Sequence, residues 1–142
     1  MATVTLFQQF KENLGKAVSN FTADANCTVT VALCASANAP VATNSVLADL
    51  TQISYTNLSS RVVTGITWEH VTGTAPMTAT DLVLTASGGA VAAFRYIVFY
   101  DDDPTSPADP LIGFLDYGSA LTLADGESLT LDFGSNGILT IA

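Results

Sequence analysis

Short apolar runs separated by turn residues fill the last third of this chain, and they restrict its fold more than any other feature. Between Phe94 and Ala142 the sequence reads FRYIVFYDDDPTSPADPLIGFLDYGSALTLADGESLTLDFGSNGILTIA. Ala92 to Tyr100 is the strongest strand. With a side-chain period of two, Phe94, Tyr96, Val98 and Tyr100 share one face and Arg95, Ile97 and Phe99 the other. Both faces are mostly apolar, which predicts a central strand covered on both sides. Asp101 to Pro110 holds three prolines and reads as a long turn. Leu111 to Tyr117 and Ala120 to Leu123 read as short strands divided at Gly118. Asp125-Gly126 signals a tight turn. Ser128 to Phe133 then points Leu129, Leu131 and Phe133 inward, and Ile138 to Ile141 closes the chain after a turn at Gly134 to Gly137.

The same alternation appears upstream. Thr28 to Leu33 places Val29, Val31 and Leu33 on one face. Arg61 to Trp68 is a strand candidate, and Gly73 to Pro76 a turn. Ala79 to Ala86 gives another strand with Leu82 and Leu84 together, ended by Ser87-Gly88-Gly89. Ser45 to Ile53 reads as a short helix or an irregular segment, with Ser45 as a possible cap. Seven or more short strands at this spacing predict a mainly β fold. The expected architecture is an antiparallel β-sandwich or jelly-roll-like barrel with an N-terminal amphipathic helix.

That helix is expected over Thr5 to Thr22. Phe7, Phe10, Leu14, Val18 and Phe21 recur at three- and four-residue steps and form one stripe. Thr5 with Gln8 fits a capping box, and Gly15 weakens the middle by about 1 kcal/mol relative to Ala. Burial of each Phe offsets this by about 1.5–3 kcal/mol if a partner surface exists. The surface is the domain's own sheet or a neighbouring subunit, with the first favoured. The chain thus divides into a helix or arm over residues 1–25 and a β-sandwich domain over residues 26–142, forming a single globular unit.

Composition limits the partners. The 142 residues are 49% hydrophobic and only 12% charged, with a net charge of −9. So few charges leave a surface of Thr, Ser, Asn, Gly and apolar atoms, poorly protected against association. Burial of part of it between subunits is expected. Eight of the thirteen acids lie at or after Asp101, and the four basic residues are scattered at Lys11, Lys16, Arg61 and Arg95. Nucleic-acid binding needs clustered cations to neutralise phosphates, and an anionic membrane would repel this chain. No nucleic-acid or membrane partner is expected. No signal peptide or span of about 20 apolar residues is visible. Cys27 and Cys34 are too far apart to bridge if both lie on one strand, so buried free thiols are expected.

Few residues offer chemistry. Asp101, Asp102 and Asp103, with Asp109 and Asp116, could supply hard oxygen ligands for calcium, but their spacing is not that of an EF-hand loop. A solvated turn that stops the ladder is the favoured reading. His70 is the only histidine, and Glu69 beside it would face the opposite side of a strand. Trp68 and His70 could share a face and form a small recognition patch, but a plain surface or interface histidine is the favoured reading. No GxSxG, P-loop or zinc-like spacing occurs. Arg95, flanked by aromatics, is expected to pair with Asp116 or Asp132 across the sheet and to be buried there. No catalytic residue, cofactor or metal site is expected, so the chain reads as a non-enzyme.

The block Ala39-Pro40-Val41-Ala42-Thr43-Asn44-Ser45-Val46-Leu47-Ala48-Asp49-Leu50 resembles small structural proteins of tailed-bacteriophage virions. So do Phe94-Arg95-Tyr96, Pro110-Leu111-Ile112-Gly113, Asp116-Tyr117-Gly118 and the ending from Asp125-Gly126-Glu127 to Asp132-Phe133. The resemblance implies a virion component synthesised in a bacterial host's cytoplasm. A capsid decoration (cement) protein on the capsid surface is the first choice, with the major capsid protein and further copies of itself as partners. A trimer is one expected arrangement, since such proteins commonly sit around local threefold axes. It supplies no catalytic residues. The candidate interface is Phe7, Phe10, Leu14, Trp68 and His70. The alternatives are a receptor- or glycan-binding head fibre or tail module, with Tyr55, Trp68 and His70 as its platform, and a neck or tail component.

Overall fold

The computed structural model describes residues 3–21 and 28–142. Its strands are β1 (Thr5–Leu6), β2 (Val29–Cys34), β3 (Val62–Val63), β4 (Thr67–Trp68), β5 (Ala75–Thr78), β6 (Leu82–Thr85), β7 (Phe94–Asp101), β8 (Leu111–Leu121), β9 (Ser128–Leu131) and β10 (Leu139–Ile141). Among the described residues one helix, α1, spans Gln8–Gly15, and a single 3-10 turn spans Leu47–Asp49. The fold is mainly β, and every strand pair is antiparallel.

A five-stranded sheet runs in the order β1-β8-β7-β2-β3, beside a three-stranded sheet β10-β5-β4 and a pair β6-β9. One face of the large sheet, with Val29, Val31, Leu33, Ile97, Phe99, Ile112 and Leu115, packs on Met77, Leu84 and Leu131 from the smaller sheets and on Phe133 just beyond β9. This is a sandwich-like arrangement of separate sheets. The opposite face buries Ala32, Cys34, Val98, Tyr100 and Leu111 in a second, smaller cluster. The expectation for β7 holds: it is the central strand, and both its faces are covered.

Its face assignment needs one correction. Pairing shifts from Phe94↔Leu121 to Tyr96↔Asp116, so the extra residues of the bulge lie on β8, around Gly118 at φ 95°, opposite Arg95. A bulge adds a residue to one strand and breaks the simple alternation. Phe94 therefore joins Ile97 and Phe99 in the main core, while Tyr96 lies against the second cluster. Gly118 does not divide two strands either, because β8 runs through it unbroken. Arg61 to Trp68 is two short strands, β3 and β4, instead of one. Pro76 lies inside β5, where it opposes Thr140 of β10.

The N-terminal helix is shorter than its stripe suggests. Thr5 is not a cap. It pairs with Phe114 in β1, and Gly113 opposite Leu6 leaves room for that close approach, since a Cβ there would press on Thr5 and Val4. The N-cap is Phe7, without a side-chain acceptor. The Gln8 N–H donates instead to the Ala42 carbonyl at 2.9 Å. The helix stops at Gly15, and Ala17 turns left-handed with φ 54°. Phe21 lies beyond the helix but is still buried in the main core with Phe10. Residues 3–21 and the body therefore share one core.

The segment after Pro40 straps the second face of the large sheet. The Leu47 N–H donates to Asp109 and the Leu111 N–H to Ser45, both at 2.9 Å, and Leu47 and Leu50 pack on the second cluster. Ser45 does not cap the 3-10 turn. Asp49 does so by accepting the Ser45 and Val46 N–H groups at 2.8 and 3.2 Å. These bonds to the charged carboxylate hold its pKa below the usual aspartate value.

Candidate functional site

The candidate interface residues end up in different environments. Phe7 and Phe10 are both 0% exposed. Phe7 packs on Phe114 with ring centroids 5.2 Å apart, and Phe10 on Phe21 at 6.1 Å. Both sit on the domain's own sheets, so neither presents a surface to a neighbour in this fold. Leu14 is half-buried, and so is Trp68, which stacks on Phe21 at 5.4 Å and 11°. These last two line one cleft of about 440 Å³ with Thr67, Glu69 and Asn20. His70 is exposed and works locally: its Nε2 accepts the Gly73 N–H at 2.9 Å and holds the hairpin between β4 and β5. Tyr55, Trp68 and His70 form no common platform. The Tyr55 hydroxyl accepts the Leu33 N–H at 3.0 Å and donates to Gln52 Oε1 at 2.6 Å.

Sequence reasoning missed the role of Arg61. Its guanidinium lies 3.7 Å from the Tyr55 ring centroid and donates to the Val31 carbonyl. A cation over a ring face is attracted by the ring quadrupole. Tyr55 and Arg61 together fasten the loop before β3 to the edge of β2. Nothing local in the sequence signals a pairing between Arg61 and a strand some thirty residues earlier.

Arg95 does find Asp116, in a bidentate pair at 2.7 and 2.9 Å. The pair is not buried, with side chains 31% and 42% exposed, and Asp132 is not a partner. Asp132 instead accepts the Gly134 N–H at 2.9 Å. The Arg95 guanidinium holds the Asp116 carboxyl below the usual aspartate range, aided by the Gly118 N–H. Exposed pairs contribute little because water and salt screen them. Arg95→Ala is expected to leave the thermal midpoint almost unchanged. A large loss in a melting experiment would show that the charge is buried after all.

The acidic loop is held together by hydrogen bonds. Asp103 accepts the Thr28 N–H, and Asp102 the Thr30 hydroxyl at 3.3 Å. Asp101 is only 1% exposed. Its carboxyl is pushed up to about 6, mainly by burial and further by repulsion from Asp103 and Asp102. The Asp103 N–H at 3.3 Å opposes this, and the Ser19 hydroxyl lies beside it without a well-formed hydrogen bond. Among the described residues no group of three or more His, Cys, Asp or Glu side chains is placed to hold a metal ion. Among the described residues Cys34 is a buried, free thiol, pushed up to about 11 by burial. Cys27, and with it the pairing of the two thiols, lies outside the described residues.

Asp101 makes stability depend on pH. Its folded pKa is raised, so the folded state favours the protonated form. The stabilisation is fully present below the unfolded pKa near 3.8 and is lost as pH rises through about 6. Asp101→Asn is expected to stabilise the fold at pH 7 by about 1–2 kcal/mol, a figure discounted for solvent reaching the flanking loop. The gain should vanish near pH 4. Denaturant melts of both proteins at pH 4, 5, 6 and 7 check this, and a gain independent of pH would contradict it.

No family model matches the chain, and neither a curated protein nor a solved structure matches it. Among the described residues no helix is long and apolar enough to cross a membrane.

Proposed function

We propose that this chain is a non-enzymatic structural protein of a tailed-bacteriophage virion. In this reading it is a capsid decoration protein that binds the shell of the major capsid protein and stabilises the head. The observation that carries the reading is where the segments resembling such proteins lie. They build scaffold. Val46 bridges to Pro110, and Ser45 accepts from Leu111, so the strap and the start of β8 lock together. Arg95 joins Asp116 across β7 and β8.

The surface also supports the reading. Val41, Val62, Val71, Val83, Tyr117 and Ile141 are large hydrophobics left exposed. A surface poor in charge is weakly protected against association and suits a subunit that is covered in an assembly. Homo-oligomerisation on the capsid, as a trimer or otherwise, belongs to the same proposal.

A receptor- or glycan-binding module is the second reading, favoured by the cleft beside Trp68. It predicts that Trp68→Ala abolishes carbohydrate binding while particles stay intact. The decoration reading is tested by heating. Particles lacking the chain are expected to release DNA at a lower temperature than complete ones, and purified chain added back should restore the difference. Equal release temperatures would sink it.

A further inference from the structure

The side of the sandwich between β8 and β9 is open. A groove of about 310 Å³ runs there, floored by Ile97, Leu115 and Leu131 and walled by Tyr117 and Leu129. Tyr117 is 49% exposed. Among the described residues β9 pairs only with β6, so its outer edge meets no other strand. The other edge of the pair is treated differently. Along β6 the Ser59 N–H donates to the Thr85 carbonyl at 3.0 Å, the Thr85 N–H donates to Ser59 Oγ at 2.9 Å, and Leu58 bridges to Ala86.

An edge strand is a template for pairing, and native chains blunt it by keeping it short or with Lys, Pro, inward charge or a cover. β9 is short, at four residues, but Ser128-Leu129-Thr130-Leu131 holds no Lys, Pro or charge. Strand addition draws affinity from main-chain hydrogen bonds and specificity from alternate side chains in pockets, and the apolar floor provides such a pocket.

Charge selects the occupant. Asp116 and Asp132 line the groove, and no basic residue does. Arg95 offsets Asp116, but among the described residues Asp132 forms no ion pair. A second copy of a chain with net charge −9 would bring like charge to this rim. We propose that the groove between β8 and β9 receives an extended strand of a partner polypeptide, with alternating apolar residues and Lys or Arg near its ends, added to the free edge of β9. The proposal deepens the structural-protein reading and rests on it for the partner being a polypeptide.

The test uses the full chain and two synthetic peptides of alternating Val and Thr, one with Lys at both ends and one with Glu. Amide hydrogen exchange followed by nuclear magnetic resonance reads the site. The Lys peptide is expected to slow exchange within Leu129 to Asp132 by about tenfold or more at saturation, and the Glu peptide to leave it unchanged. Leu129→Lys should abolish the protection with the fold retained. Tyr117→Lys, on the exposed wall, serves the same purpose should the first variant unfold.

Equal protection by both peptides, protection at β3 or β4 instead, or none at all would overturn the proposal. So would a dimer in sedimentation that protects β9 without peptide, which would make the occupant a second copy. A failure here leaves the place of the chain in a particle untouched. Conversely, absence of the chain from particles would remove the virion reading while the peptide result stands.

Discussion

Phe10→Ala destabilises the isolated chain by about 3–5 kcal/mol, the range for emptying a buried Phe site. The ring is fully buried in the main core and packs on Phe21, which in turn carries Trp68. Truncation loses the transfer energy of the ring and leaves a cavity that a close-packed interior fills only in part. The cavity would lie beneath α1, so the helix and the stacked pair should loosen with it. Chemical denaturation of the purified variant measures the effect. The result decides where the helix belongs. If the helix were an arm engaging a neighbouring subunit, the isolated chain would keep its stability and only assembly would suffer. Stability within about 1 kcal/mol of the parent would overturn the packing described above.

Gly137→Ala is expected to cost about 2–4 kcal/mol, because it combines an unfavourable backbone conformation with a backbone clash. Gly137 has φ +67°, and an added Cβ would fall inside the Met77 carbonyl group. That close approach lets the Ile138 N–H reach the same carbonyl at 2.8 Å and starts the pairing of β10 with β5. A Cβ must push the turn off β5, so β10 should fray first. Gly73→Ala is the useful control. It also replaces a glycine of positive φ, +86°, but nothing lies within 4 Å of its added Cβ. Thermal melts of the two variants separate strain from clash. Equal losses would mean that contact with β5 contributes nothing.

The β class was legible because alternation is a local signal. The strand at Ala92 to Tyr100 has apolar residues on both faces, and that alone placed β7 at the centre of its sheet. Leu82 and Leu84, and Leu131 with Phe133, faced inward as their spacing required. The errors arose where a distant partner decides the outcome. Thr5 has the side chain of a helix cap, yet Gly113 more than a hundred residues later offers a place for β1. The bulge opposite Arg95 is set by the pairing of β7 with β8, and it moves Phe94 to the other face; its one local sign is Gly118, which reads equally well as a break between two strands. Gly15 was a helix stop read as a weak helix interior, because the apolar stripe continues to Phe21 through a turn.

The candidate site divides along the same line. The spacing of Phe7, Phe10 and Leu14 correctly marked an apolar face but could not say which surface covers it. The domain's own sheets cover Phe7 and Phe10. The pairing of Arg95 with Asp116 followed from opposite charges on neighbouring strands. Its exposure did not, since burial depends on what packs above the pair. The groove beside β9 was invisible because strand order, not sequence order, leaves that edge free.

Purified particles imaged by cryo-electron microscopy test the central claim most directly, through the copy number and position of this chain. Many ordered copies on the capsid lattice, in a fixed simple ratio to the major capsid protein, are the expected result. In those copies α1 should be folded back on its own sheet, with contacts made elsewhere. A few copies at a vertex or the tail, or none in the particle, would contradict it.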